Sequence, residues 1–386
     1  MSGYVFISNG NKPNTKEANN RETVKLSNVS KPWLKAALEL GYDVWFGINR
    51  NNPETIGCVL PVHLYDAHTY RSLFNIKDNV VAYKNLMKIL NNESIEVIHC
   101  NTPIGGMIGR ICGKRGKVKK IIYTAHGFHF YKGAPIVNNT ILKWAEMVMA
   151  RWTDAIITMN KEDFHAANKF KLKQGGKVYY IPGVGINTEE FKNIQADEEL
   201  RDKLNIQPDD ILCISMGDLI PRKNYQTAIE AIAKCKNEKI KYLICGKGPE
   251  LSNLQKLVEK LNVENQVKFL GFRSDIKELL RVSDIFLFTT FQEGMPRSMM
   301  EAMASGLPCI ASKIRGNVDL LEDEKGGFLV SPNNSDEIAD RIVRLAKNRN
   351  ERLCMGENNL KRIQKFDIRV VEDLAKKIYR DILTEK

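Results

Sequence analysis

Short apolar runs alternate with longer amphipathic stretches along the whole chain, the pattern of parallel sheets covered by helices. In the first half these runs predict strands near Tyr4–Ser8, Asp43–Ile48, Val59–Leu64, Val97–Cys100, Lys120–Thr124 and Ala155–Met159. Helical periodicity falls between them, near Lys31–Leu40, Val80–Leu90, Gly105–Cys112 and Ile141–Arg151. A polar, acid-bearing stretch at Asn187–Pro208 shows no strand pattern and reads as a linker. Beyond it a second series predicts strands near Ile211–Ser215, Lys241–Cys245, Val267–Phe269, Ile285–Phe288, Cys309–Ala311 and Gly327–Val330. The expectation is an α/β chain of two doubly wound domains, residues 1–190 and 191–368. No strand follows the last amphipathic segment, 369–386, so it is expected to pack back on the first domain.

The length of 386 residues agrees with two domains, since one usually takes roughly 100–200 residues. With 43% hydrophobic and 27% charged residues, the composition is that of a soluble globular protein and not of a disordered chain. Met1–Asn9 holds a short apolar run without a basic start or a small-residue cleavage site, so it reads as a first strand and not a secretory leader. No window approaches the roughly 18–20 apolar residues of a membrane-spanning helix, and any membrane contact is expected to be peripheral. The eight cysteines lack paired or zinc-like spacing and read as reduced thiols. The six histidines form no H-x-x-x-H pair with a flanking carboxylate, so no metal site is expected.

Charge adds an asymmetry. Residues 1–190 carry 25 Lys and Arg against 15 Asp and Glu, whereas the remainder carries 33 against 31, so the net charge of +12 belongs mostly to the first half. The densest basic stretch is Lys114-Arg115-Gly116-Lys117-Val118-Lys119-Lys120. It reads first as a solvated helix end and second as a site of attraction to an anionic bilayer. Nucleic acid is not expected as a partner, because no aromatic platform or recognisable binding motif accompanies the charge.

The most informative passage runs from Thr289 to Ala302, directly after a very apolar strand. Pro296 suits the first turn of a helix, and such a start offers free amides and the positive end of a dipole to a phosphate. In open α/β sheets this strand-to-helix crevice is where ligands bind. Glu293 would lie beside the sugar end of a bound nucleotide sugar, and Glu301, further along the helix, would reach ribose hydroxyls. By itself a pair of glutamates at this spacing also fits a loop acid and a helix-surface acid.

The text Glu293-Gly294-Met295-Pro296 through Glu301-Ala302-Met303-Ala304-Ser305-Gly306-Leu307-Pro308, followed by Gly326-Gly327-Phe328-Leu329-Val330, strongly resembles family four of the retaining glycosyltransferases and its E-x7-E signature. That resemblance implies the GT-B fold, two facing Rossmann-like domains with an interdomain cleft. It implies transfer of a sugar from a nucleotide donor with retention of anomeric configuration. Gly217-Asp218-Leu219-Ile220-Pro221-Arg222-Lys223-Asn224 resembles the family's loop that supplies cations to the donor diphosphate, with Lys223 the matching lysine and Arg222 a second cation. Asp218 stands where an arginine often follows the glycine, and Asn224 replaces a frequent glycine.

Further donor contacts follow from the resemblance at Gly294, Met295, Pro296, Ser298 and Met299. Gly246-Lys247-Gly248-Pro249 is similar to the family's glycine-rich strand end, and Gly271-Phe272-Arg273-Ser274-Asp275 to the loop near the nucleobase, although Phe272 reads equally as core and Arg273 as solvent-facing. Thr124-Ala125-His126-Gly127-Phe128-His129-Phe130 resembles capsule and exopolysaccharide members, in which His126 would face the transferred sugar. His129 stays open between a structural role and acceptor contact. Ser8-Asn9-Gly10, followed by Asn11-Lys12-Pro13-Asn14, resembles the first-domain glycine loop, with Gly10 at the donor. Gly183-Val184-Gly185-Ile186-Asn187 resembles the end of that domain.

The resemblance implies a UDP-sugar donor carrying a hexose or N-acetylhexosamine, and no cofactor. The implied acceptor is a growing saccharide linked to a polyprenyl diphosphate such as undecaprenyl diphosphate, at the cytoplasmic face of the plasma membrane, with a soluble acceptor as the alternative. Lys223, Arg222 and the helix start would stabilise the leaving diphosphate, with His126, Lys223 and Glu293 the catalytic set. The competing readings are a nucleotide-sugar epimerase or phosphorylase on a related fold, or a non-catalytic protein that binds anions or membranes.

Overall fold

The computed structural model describes residues 2–10, 24, 26–50, 53, 56–70, 75–192, 194 and 198–384. The chain divides into two compact units, 1–184 with 369–386, and 185–368.

The first unit is built on β1 (Gly3–Ile7), α1 (Lys31–Glu39), β2 (Asp43–Ile48), β3 (His63–Asp66), α2 (Ile76–Asn92), β4 (Ile95–Asn101), α3 (Pro103–Arg115), β5 (Lys120–Ala125), α4 (Lys143–Ala150), β6 (Ala155–Thr158), α5 (Lys161–Ala167) and β7 (Lys177–Tyr180). Its strands form one sheet in the order β3-β2-β1-β4-β5-β6-β7, and every pairing is parallel. A parallel sheet is covered on both faces, which is why β1 reads as an unbroken apolar run and is buried throughout.

The expected strand Val59–Leu64 is displaced to His63–Asp66. Pro61 has no N–H to give a ladder, and Val59 is exposed. β7 and α5 had no counterpart in the sequence pattern. β7 is a four-residue edge strand with its first residue exposed, too short for a period to show.

The second unit contains α6 (Glu189–Lys192), α7 (Glu198–Lys203), β8 (Ile211–Met216), α8 (Tyr225–Lys234), β9 (Ile240–Cys245), α9 (Leu251–Lys260), β10 (Val267–Gly271), α10 (Ile276–Arg281), β11 (Ile285–Phe288), α11 (Arg297–Ala304), β12 (Cys309–Ser312), α12 (Asn317–Leu320), β13 (Gly327–Val330), α13 (Ser335–Lys347) and α14 (Arg349–Ile363). Its parallel sheet runs β10-β9-β8-β11-β12-β13. Both sheets therefore reverse strand order once, beside β1 and β4 in one unit and beside β8 and β11 in the other.

The stretch expected as a linker belongs to this second unit. It carries α6 and α7, and Phe191, Leu200, Leu204 and Ile206 enter the core against β8 and α11. The polar majority of those residues masked a sparse set of anchors. The unit boundary falls after Val184, ahead of the expected position at 190.

The last helix, α15 (Ile368–Thr384), contacts the first unit, to which residues 369–386 belong. Tyr379 is fully buried, its hydroxyl 2.5 Å from Tyr4 Oη and 2.5 Å from His99 Nδ1. His99 Nε2 lies 2.7 Å from Thr124 Oγ1, so the helix is keyed to β1, β4 and β5 through one buried polar chain. Burial holds the His99 pKa well below its ordinary value, so the ring is neutral in this setting. Lys35 and Glu372 add an ion pair at 3.3 Å.

Candidate functional site

In the second unit, the loops after β8 and β11 leave the sheet at its switch point, where open α/β sheets bind ligands. Lys223 lies on the first loop and Glu293 on the second. Glu293 Oε1 accepts from Lys223 Nζ at 2.7 Å, from Arg222 Nη1 at 2.9 Å and from Thr290 Oγ1 at 3.1 Å. The Lys223 and Glu293 side chains are each only 13% exposed, so their charges are partly withdrawn from water and each needs the other. Lys223 also stands 5.0 Å above the Phe288 ring, a cation–π contact. Bonds to backbone carbonyls fix the two loops: Phe291 N donates to Arg222 O at 2.9 Å, and the Arg315 side chain donates through Nε to Glu293 O at 3.2 Å.

Asn224 explains its own departure from glycine. It sits at φ 52° and ψ 44°, the left-handed region that glycine enters freely and asparagine better than most residues. Its amide donates to Thr289 O at 2.9 Å and Pro332 O at 2.7 Å, while Thr289 Oγ1 returns a bond to Asn224 O at 2.7 Å. Asparagine thus keeps the turn and ties the Lys223 loop to the Glu293 loop. Asp218, in the place of a frequent arginine, is exposed.

Gly246 permits another close approach. A Cβ there would meet Gly217 O at 1.9 Å, so this strand end holds the loop after β8 by backbone contact that no side chain allows.

α11 begins at Arg297, with Pro296 as the N-cap at φ −79° and ψ 115°. The expected first-turn place of Pro296 is thus one residue off, because its extended ψ lies outside the helix. The first intrahelical bond runs from Met300 N to Pro296 O, so the amides of Arg297, Ser298 and Met299 have no acceptor within the helix. Met299 is buried in the core, and Met295 packs against the same cluster, so their side chains serve the packing. Gly294 is crowded from beyond: a Cβ on Gly316 would meet Gly294 O at 2.3 Å.

Glu301 lies one turn into α11, where Arg297 Nε donates to its Oε1 at 2.9 Å. Burial raises the Glu301 pKa and the Arg297 charge opposes that rise. Phe272 is 74% exposed, which removes the core alternative for it. Arg273 is held by Asp275, its Nε donating to Oδ1 at 2.7 Å.

In the first unit, the ends of β1, β4 and β5 supply a second group of polar residues. His126 Nε2 lies 2.9 Å from Asn101 Oδ1, and burial brings the imidazole pKa down to about 4. Asn101 is fully buried, and its Nδ2 has no hydrogen-bond partner among the described residues. Gly105 N donates to Asn9 Oδ1 at 2.6 Å, and Gly10 N donates to Thr69 O at 3.0 Å. His129 is exposed, and its carbonyl accepts from Asn138 at 3.0 Å. Asn11, Lys12, Pro13 and Asn14 lie outside the described residues.

Thr290, Arg315 and Asn101 were not singled out by their sequence. Each stands at or just after the end of a strand, and that position was the available signal for Arg315, which follows β12 just as Glu293 follows β11.

The family described as "Glycosyl transferases group 1" matches residues 196–362, and "Glycosyl transferase 4-like" matches residues 18–160. A Bacillus subtilis protein named as the glycosyltransferase EpsD is 33% identical over 306 residues, covering 77% of this chain and 80% of that one. An Escherichia coli UDP-Gal:alpha-D-GlcNAc-diphosphoundecaprenol alpha-1,3-galactosyltransferase is 29% identical, covering 82% and 83%. The crystal structure of Anabaena HepE in complex with UDP and glucose superposes with a TM-score of 0.78 at 18% identity, over 99% of this chain and all of that one. The chain belongs to glycosyltransferase family 4, with two Rossmann-like sheets of the GT-B fold. It is a glycosyltransferase that uses nucleotide sugars, and the epimerase, phosphorylase and non-catalytic readings give way.

Proposed function

We propose that this enzyme moves a hexose or N-acetylhexosamine from a UDP-sugar to a growing saccharide on undecaprenyl diphosphate. The setting is capsule or exopolysaccharide assembly at the cytoplasmic face of the membrane. The observation that carries the donor reading is the convergence of Lys223 and Arg222 on Glu293, in the loop that opens α11. Two cations and a helix start suit a diphosphate. The activity named for the Escherichia coli relative and the UDP in the Anabaena complex support the choice of donor and acceptor.

In this reading Lys223, Arg222 and the amides of Ser298 and Met299 take the diphosphate, and Glu293 turns to the sugar hydroxyls. Glu301 takes the ribose, and Phe272 and Arg273 border the base. Gly10 and His126, by family resemblance, serve the donor from the first unit, with His126 steadying the transferred sugar. The bond from the sugar's anomeric carbon to the phosphate oxygen breaks as the bond from the acceptor oxygen forms on the same face. The acceptor proton passes to a leaving-phosphate oxygen, whose charge the cations stabilise. Glu293 is not assigned as a covalent nucleophile, because the family resemblance gives it the positioning of the sugar.

The test is a panel of radiolabelled nucleotide sugars offered with undecaprenyl-diphosphate-linked saccharides. Label is expected in the lipid fraction with a UDP-sugar. No lipid-linked label with any donor contradicts the reading.

A further inference from the structure

The helical segment ending the connection from β5 to β6 presents apolar side chains to solvent. It combines a π-helical turn at Asn138–Leu142 with α4. Ile136 is 81% exposed, Ile141 61% and Trp144 67%, with Val137 and Met147 also exposed. Val137, Ile141 and Trp144 follow at spacings of four and three, which places them on one side of a helix. Isolated exposed apolar residues are ordinary, but a run of five within twelve residues that includes a tryptophan is not.

Charge selects what covers this face. Residues 132–151 carry Lys132, Lys143 and Arg151 against one acid, Glu146, and that carboxylate is taken by Arg110 at 2.8 Å. α3 packs against α4, and its C-terminal Lys114 stands 3.9 Å from the centroid of the Trp152 ring, just past the segment. The exposed Lys114, Arg115 and Lys117 therefore adjoin its end. A second copy of this face would set these cations against their own kind. An anionic bilayer satisfies both features, with apolar side chains entering the acyl boundary, tryptophan at the headgroup level and cations meeting lipid phosphates. Each well-placed cation strengthens such binding roughly fivefold. Among the described residues no helix is long and apolar enough to cross a membrane, so this contact lies along the surface.

We infer that the segment 136–151, with the adjoining end of α3, docks the first unit on an anionic membrane surface. The inference extends the reading above, in which the acceptor is lipid-linked, by naming the face that meets the lipid. Its test uses the full chain and co-sedimentation with phosphatidylcholine vesicles, with and without phosphatidylglycerol. The wild type binds the anionic vesicles, and the paired exposed substitutions Ile141→Ser and Trp144→Ser weaken binding at least roughly tenfold. Calorimetry with UDP on both proteins separates this inference from the donor reading. Equal UDP affinity with lost vesicle binding supports it, and UDP binding by a wild type that ignores the vesicles overturns it alone. Vesicle binding unchanged by the substitutions also overturns it, as does a Trp144-dependent oligomer in solution, which would give the face to a second copy. Failure of the wild type to bind UDP would instead strike the donor reading.

Discussion

The Lys223 ammonium lies 2.7 Å from Glu293 Oε1, and Arg222 Nη1 reaches the same oxygen at 2.9 Å. A carboxylate thus occupies the two cations that the proposed function assigns to the donor diphosphate, and in that reading donor binding exchanges one anion for another. Glu293→Gln keeps the shape and removes the competing charge. It is expected to tighten UDP binding several-fold, since charge-assisted bonds are roughly twice as strong as neutral ones, while sugar transfer falls. Calorimetry with UDP beside a transfer assay checks this, and weaker UDP binding would count against the exchange.

Lys223→Ala removes the less exposed of the two cations. Transfer is expected to fall by roughly 10²–10³-fold, the scale of losing one group that stabilises developing charge. Folding should be retained, because Arg222 remains paired with Glu293. A turnover rate close to wild type would refute the role in stabilising the leaving group.

Glu301→Gln is expected to weaken UDP binding roughly tenfold, through loss of charge-assisted bonds to the ribose. Arg297 also loses its partner, but it is exposed and its pair contributes little to stability. Unchanged affinity by calorimetry would sink the assignment.

Asn224 makes a prediction about stability. Asn224→Ala forces a Cβ residue without a compensating side-chain bond into a left-handed turn and strips the bonds to Thr289 O and Pro332 O. The expected cost is about 2–3 kcal/mol. Asn224→Gly keeps the turn and loses only the bonds, costing about 1 kcal/mol. Denaturant unfolding should rank the variants in that order; an alanine variant as stable as the glycine one would show that the backbone conformation is not what selects asparagine.

His126 carries a pH dependence. Its folded pKa is depressed by burial from 6.5 to about 4, so the folded state favours the neutral ring. Stability from this group is fully present above 6.5 and is lost as pH falls toward 4. His126→Gln should flatten that part of the unfolding profile, and an unaltered slope between wild type and variant would contradict it.

Much of the fold was legible because parallel strands buried on both faces write continuous apolar runs. Asp43–Ile48, Ile285–Phe288 and Gly327–Val330 occur where the pattern put them. Elements with few anchors were hidden: α7 shows only Leu200 among charged neighbours, and Lys177–Tyr180 is too short for a period. At the candidate site, motif spacing and resemblance pointed to Glu293, Glu301, Lys223 and Arg222, of which the structure brings Glu293, Lys223 and Arg222 into contact. It could not show that Glu293 already holds both cations, nor that Asn101 faces His126, since those depend on loops meeting across strand ends.

In the proposed reaction everything depends on the donor diphosphate docking at the start of α11 beside Lys223. A crystal structure of the full chain with UDP tests it most directly. The diphosphate is expected within hydrogen-bonding distance of Lys223 Nζ and of the Ser298 and Met299 amides, with Glu293 released from the lysine. UDP bound elsewhere while Glu293 still grips Lys223 would contradict it.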